Sequence, residues 1–157
     1  MSKIAIKYAI TLFIGLVGFF LISRAIGITD NNTLLIFTAV LELVVVYFAI
    51  KEYRLSGKSS VGNYLSGVAM GAFTVALGSF AFSIFMYIYL SADPSYMKAL
   101  ESDADVNGLQ RQFMTPMASS SILFGIAIVV GIIGSYILTR IIDMNISGIN
   151  TNVNSPD

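Results

Sequence analysis

The chain contains no cysteine, no histidine and no tryptophan in 157 residues. Without cysteine and histidine there is no thiol nucleophile, no disulfide, no Cys or His zinc site, no His-ligated haem and no Ser-His-Asp triad. Charge is also scarce, at 11% of residues, with nine basic and nine acidic side chains that cancel. No dense Lys/Arg stripe exists to follow a phosphate backbone, which argues against nucleic acid as a partner. Nine carboxylates could in principle serve Ca²⁺ or Mg²⁺, but no EF-hand loop or comparable spacing occurs. No cofactor and no metal site is therefore expected.

What remains is apolar. Hydrophobic residues make up 56% of the chain, and the charges cluster between long uncharged stretches, which is the composition of a membrane protein. A hydrocarbon core about 30 Å thick takes roughly 20 residues of helix. Four segments qualify on this reading, near residues 4–25, 33–51, 64–90 and 117–141, within a transmembrane domain of residues 1–142. The second contains Glu42. Between Leu34 and Ile50 it has 12 Leu, Ile, Val or Phe, each favouring insertion by roughly 0.3–0.6 kcal/mol against about 3 kcal/mol for a central acid. The sum predicts insertion.

In a four-span arrangement Lys3, Lys7, Lys51, Arg54, Lys58 and Arg140 share one side, and Arg24, Lys98 and Arg111 the other. The positive-inside rule then puts both termini in the cytoplasm. Tyr8, Tyr47, Tyr53, Tyr64 and Tyr136 fall near the inner boundary and Tyr87, Tyr89 and Tyr96 near the outer one, as an aromatic belt would. The first segment imitates a signal peptide, with "SRA" at residues 23–25 as a mock cleavage site, but Arg24 is unusual beside a cut and the segment reads as a span. Residues 91–116 form a periplasmic loop in which Asp93 caps, and Pro94 opens, a short interfacial helix. Residues 143–157 read as a polar tail without structure.

Membrane bundles pack through small residues. Gly67, Gly71 and Gly78 share a face of the third segment, and Ala127, Gly131 and Ser135 follow at four-residue spacing in the fourth. These six are the expected close helix contacts. Two apparent motifs dissolve on inspection. "SGKSS" at residues 56–60 lacks the first glycine of a phosphate loop, position 52 being Glu, and Ser95 with Lys98 has the spacing of a Ser/Lys nucleophile pair without its companion motifs. The acidic cluster Glu101, Asp103 and Asp105 reads as a solvated loop.

Glu42 is the strongest single candidate, because an ionisable group within a span is a functional hypothesis by default. Thr74 and Ser79 are its expected polar neighbours. With no cation at its depth, it is expected to stay protonated and to serve as a structural hydrogen-bonding group. The rival expectation is proton or cation transfer.

The stretches "IKYAITLFIGLVGFF", "KEYRLSGKSSVGNYLSGVAMGAF" and "MYIYLSADPSYMKALE", with the Gly-rich final segment, resemble one family: the uncharacterised four-span membrane proteins of Bacteroidota known as domain of unknown function 4199. The resemblance covers roughly the first 142 residues. It implies a bacterial inner-membrane protein with its Asp-Pro loop in the periplasm, and it carries no catalytic residues. The functional expectation is a non-enzymatic structural or accessory subunit whose partners are the lipid bilayer and another membrane protein or a second copy of itself. The alternative is a small transporter or channel component using Glu42.

Overall fold

The computed structural model describes residues 2–27, 31–57, 63–93, 95, 98 and 115–153, with side chains of residues 2, 31–34 and 147–153 left aside. Among these residues the long helices are, in order, α1 (Ser2–Ile26), α2 (Asn31–Leu55), α3 (Tyr64–Ala92) and α4 (Pro116–Val153). Pro116 opens α4, where its missing N–H has no partner to lose. Thr115 caps that end, its Oγ1 accepting the Ala118 N–H at 3.1 Å. α1 and α2 each end before a glycine in the left-handed region, Gly27 (φ 80°) and Gly57 (φ 68°). That conformation costs glycine little and turns the chain out of the helix.

The helices run up, down, up, down. Phe20 near the end of α1 packs with Met86 and Leu90 near the end of α3, and Ala5 at the start of α1 packs with Tyr53 at the end of α2 and Met70 near the start of α3. α3 touches all three other helices and packs most extensively on α4. The inner face of α2 follows helical spacing through Glu42, Val45, Val46, Ala49, Ile50, Tyr53 and Arg54, all buried.

The fold is all-helical as expected, but the expected number of spans needs correction. Among the described residues three helical segments are long and apolar enough to cross a membrane, Lys3–Ile26, Tyr64–Ala92 and Pro116–Ile146. α2 does not qualify over residues 35–55, the part of it whose side chains are described. Within residues 35–55, Glu42 sits midway and Lys51, Glu52 and Arg54 crowd the end, so every 18-residue stretch there carries at least three charged groups. The insertion sum above counted Leu34 to Ile50 alone and treated that charged end as a flank. With three spans, a common side for both termini no longer follows. The expected interfacial helix, residues 93–102, falls mostly on residues 94, 96–97 and 99–102, outside the described residues.

Two further features concern helix ends. Asp93 is the C-cap of α3, its N–H donating to Tyr89 O at 2.9 Å. Its Oδ1 accepts the Ser95 N–H at 3.2 Å, so the carboxylate does meet a free amide just beyond the helix. At the other end α4 continues to Val153, through most of the segment expected to be an unstructured tail. Asp143, the first residue of that segment, is buried within the helix, which anchors this part of α4 against α2.

Candidate functional site

Gly131, Ser135, Thr139 and Asp143 recur every fourth residue on α4. They therefore lie along one face, about 6 Å apart by helix geometry. All four are buried. Ala127, one step earlier, is half-buried, so the closed part of the line begins at Gly131.

Opposite this line stand the glycines of α3. A Cβ added to Gly71 would collide with Ser135 Oγ. One added to Gly67 would lie 2.6 Å from Thr139 Cγ2 and 2.9 Å from Arg54 Nη2. Both positions thus have to be glycine for α4 and α2 to come this close. Gly78 faces a different neighbour: its Cβ would meet Leu12 at 2.8 Å and the Ala9 carbonyl of α1 at 3.1 Å. The three glycines lie along one stripe of α3, yet they serve two different helix contacts.

Glu42 enters from α2 at Gly131. A Cβ on that glycine would stand 2.6 Å from Glu42 Oε1 and 2.5 Å from Val75 Cγ1. The missing side chain at residue 131 makes the space that the carboxyl occupies. Glu42 is 3% exposed, and its Oε1 has no hydrogen-bond partner among the described residues. The expected neighbours do not supply one. Thr74 Oγ1 donates to Met70 O of its own helix at 2.9 Å, and Ser135 Oγ likewise donates to Gly131 O at 2.6 Å. Such back-bonds satisfy a hydroxyl inside its own turn. Ser79 Oγ is buried and makes no hydrogen bond among the described residues. The structural hydrogen bond expected of Glu42 is therefore not made by Thr74, Ser79 or Ser135.

The line ends at a buried ion pair. Arg54 Nε stands 2.9 Å from Asp143 Oδ1, with side chains 0% and 10% exposed, and Nη2 donates to Oδ2 at 2.9 Å. The first contact is an ion pair and the second a charge-assisted hydrogen bond. Arg54 also donates from Nη1 to Asn63 O and to Ser66 Oγ, both at 3.2 Å. One guanidinium thus joins α2, the start of α3 and α4. Thr139 lies one turn before Asp143, fully buried, with Oγ1 unpartnered among the described residues.

Sequence reasoning missed Arg54, Thr139 and Asp143. Arg54 reads as one of several topological charges, and Asp143 falls at the boundary of the presumed tail. The signal was the four-residue spacing itself, which continues past Ser135 to Thr139 and Asp143.

Two more ion pairs close the bundle at its ends. Lys7 Nζ meets Glu52 Oε2 at 2.7 Å, and Tyr8 OH donates to the same oxygen at 2.7 Å. Hydrogen bonding from Lys7, then from Tyr8, holds the exposed Glu52 carboxyl below its ordinary range. At the opposite end Arg24 Nη2 donates to Asp93 Oδ2 at 2.7 Å. Pro94 and the acidic cluster Glu101, Asp103 and Asp105 lie outside the described residues. Among the described residues no group of three or more acidic side chains is placed to hold a metal ion. Comparisons of the chain with protein-family models, with curated proteins and with solved structures returned no match.

Proposed function

We propose that this multi-pass helical protein resides in the bacterial inner membrane and acts, without catalysis of its own, as a structural or accessory subunit of a larger membrane complex. The supporting observation is how its charges are used. Lys7 with Glu52, Arg24 with Asp93, and Arg54 with Asp143 each tie one helix of the bundle to another. Those side chains are engaged in contacts within the bundle itself. Its outer surface offers apolar side chains such as Ile14, Phe48, Phe80 and Ile133, which suit lipid or the helices of another membrane protein. The inner-membrane assignment rests on the family resemblance.

Purification from native membranes in several mild detergents, followed by mass spectrometry, tests this reading. A stoichiometric larger membrane protein is expected to accompany the chain. Recovery as a monodisperse monomer or homo-oligomer in every detergent would overturn it. A second reading, a component that handles protons, is favoured by one observation, the unpartnered carboxyl of Glu42.

A further inference from the structure

Glu42 is held where a carboxyl is costly and where no described residue accepts its proton. It makes no hydrogen bond or ion pair among the described residues, although it is 3% exposed. A structural acid needs an acceptor for its O–H, and neither Thr74 nor Ser135, whose hydroxyls donate to carbonyls of their own helices, makes a hydrogen bond with it. No charge faces it either. α1 carries no titratable group between Tyr8 and Arg24, α3 none between Tyr64 and Tyr87, and α4 none before Tyr136, whose ring is exposed, and Arg140, also exposed. The charged group on α4 that shares its side is Asp143, twelve residues from Gly131 or about 18 Å along the helix.

The ligand that fits is a proton. A sodium or divalent ion needs several oxygens at bonding distance, whereas the Glu42 carboxyl packs against Gly131 and the methyls of Val75. No group of three or more acidic side chains that could hold a metal ion forms among the described residues. A proton needs one oxygen and a way in. Ser135 and Thr139 lie between Glu42 and the Arg54–Asp143 end, and both are fully buried. Thr139 Oγ1 is without a partner among the described residues.

We infer that Glu42 is a proton-uptake site, reached along the Ser135–Thr139 line from the Arg54–Asp143 end of the bundle. Uptake converts the carboxylate and one proton from water into the carboxylic acid, and release reverses it, with no other reactant. The site gives the bundle two charge states in its interior. Because α2, α3 and α4 all meet there, helix packing would respond to that charge. This inference does not depend on the accessory role.

The test is infrared difference spectroscopy of the full chain in lipid nanodiscs, titrated from about pH 5 to about pH 10, a range that brackets a buried carboxyl. A protonated-carboxyl band that shifts in D₂O and disappears reversibly as pH rises is expected. It should be absent in Glu42→Gln and retained in Glu52→Gln. Glu42→Asp keeps a carboxyl and should move the midpoint; an unmoved midpoint would assign the band elsewhere and overturn the proposal. Thr139→Val should slow loss of the band after a pH jump at least tenfold at an unchanged midpoint. A wild-type band that is absent, or that does not respond to pH, would overturn the site. A wild-type rate in Thr139→Val would overturn the route.

Discussion

Replacing Asp143 by alanine should be among the most damaging single changes in this chain. The substitution removes both carboxylate contacts at 2.9 Å from Arg54, whose side chain has no exposed surface. A buried ion that loses its partner typically costs about 3–5 kcal/mol. Asn63 O and Ser66 Oγ remain as acceptors, at 3.2 Å from Nη1, and they offset part of the loss. The expected destabilisation is therefore near the lower end, about 3 kcal/mol. Asp143→Asn keeps an acceptor without the charge and should fall between alanine and wild type. The pair itself need not stabilise the bundle, since well-packed apolar replacements of buried ion pairs are often neutral or better. Arg54→Met combined with Asp143→Leu should thus recover most of what either change loses alone. Reversible unfolding in mixed micelles of increasing denaturing detergent measures all four variants. An alanine variant within about 0.5 kcal/mol of wild type, the range of an ordinary surface change, would refute the reasoning. So would strictly additive effects in the double variant.

The glycines provide an internally controlled set. Gly71→Ala and Gly131→Ala force Ser135, Glu42 or Val75 to move and should cost about 1–3 kcal/mol. Gly125→Ala opens onto empty space and should be neutral or stabilising by up to about 1 kcal/mol through helix propensity; equal stabilities across the three would mean the contacts do not exist. The Lys7–Glu52 tie should depend on pH with a definite sign. Because the folded-state value of Glu52 lies below its ordinary 4.5, the contribution is complete above that value and fades as pH falls through the lower, folded one. The stability difference between wild type and Glu52→Gln should therefore be constant at neutral pH and vanish in acid, and a difference that grows in acid would reverse the assignment.

Much of the helical architecture was legible because each helix is a long apolar run free of internal proline. Glu42 was legible as the one acid within such a run, and Gly67, Gly71, Gly131 and Ser135 as small residues at helical spacing. The count of spans was less so. Lys51, Glu52 and Arg54 read equally well as the flank of a span or as part of the helix that carries Glu42, and the choice depends on where the apolar window is drawn. Arg54 and Asp143 were illegible as a pair because 89 positions separate them, and each alone resembles an interfacial charge. Nor could spacing tell that Gly78 meets α1 while Gly67 and Gly71 meet α4, since the crossing of helices decides which neighbour a face finds. The unsatisfied state of Glu42 is a tertiary fact of the same kind. Thr74 and Ser79 were reasonable neighbours by depth, but the carboxyl arrives at Gly131 instead.

The accessory role is tested most directly inside living cells, by placing a photoreactive residue at Ile14, Phe48, Phe80 or Ile133, exposed positions on each of the four helices. Illumination should yield, from at least one of them, a discrete adduct with a single larger membrane protein. Adducts with lipid and with the chain itself alone, from all four positions, would contradict the account.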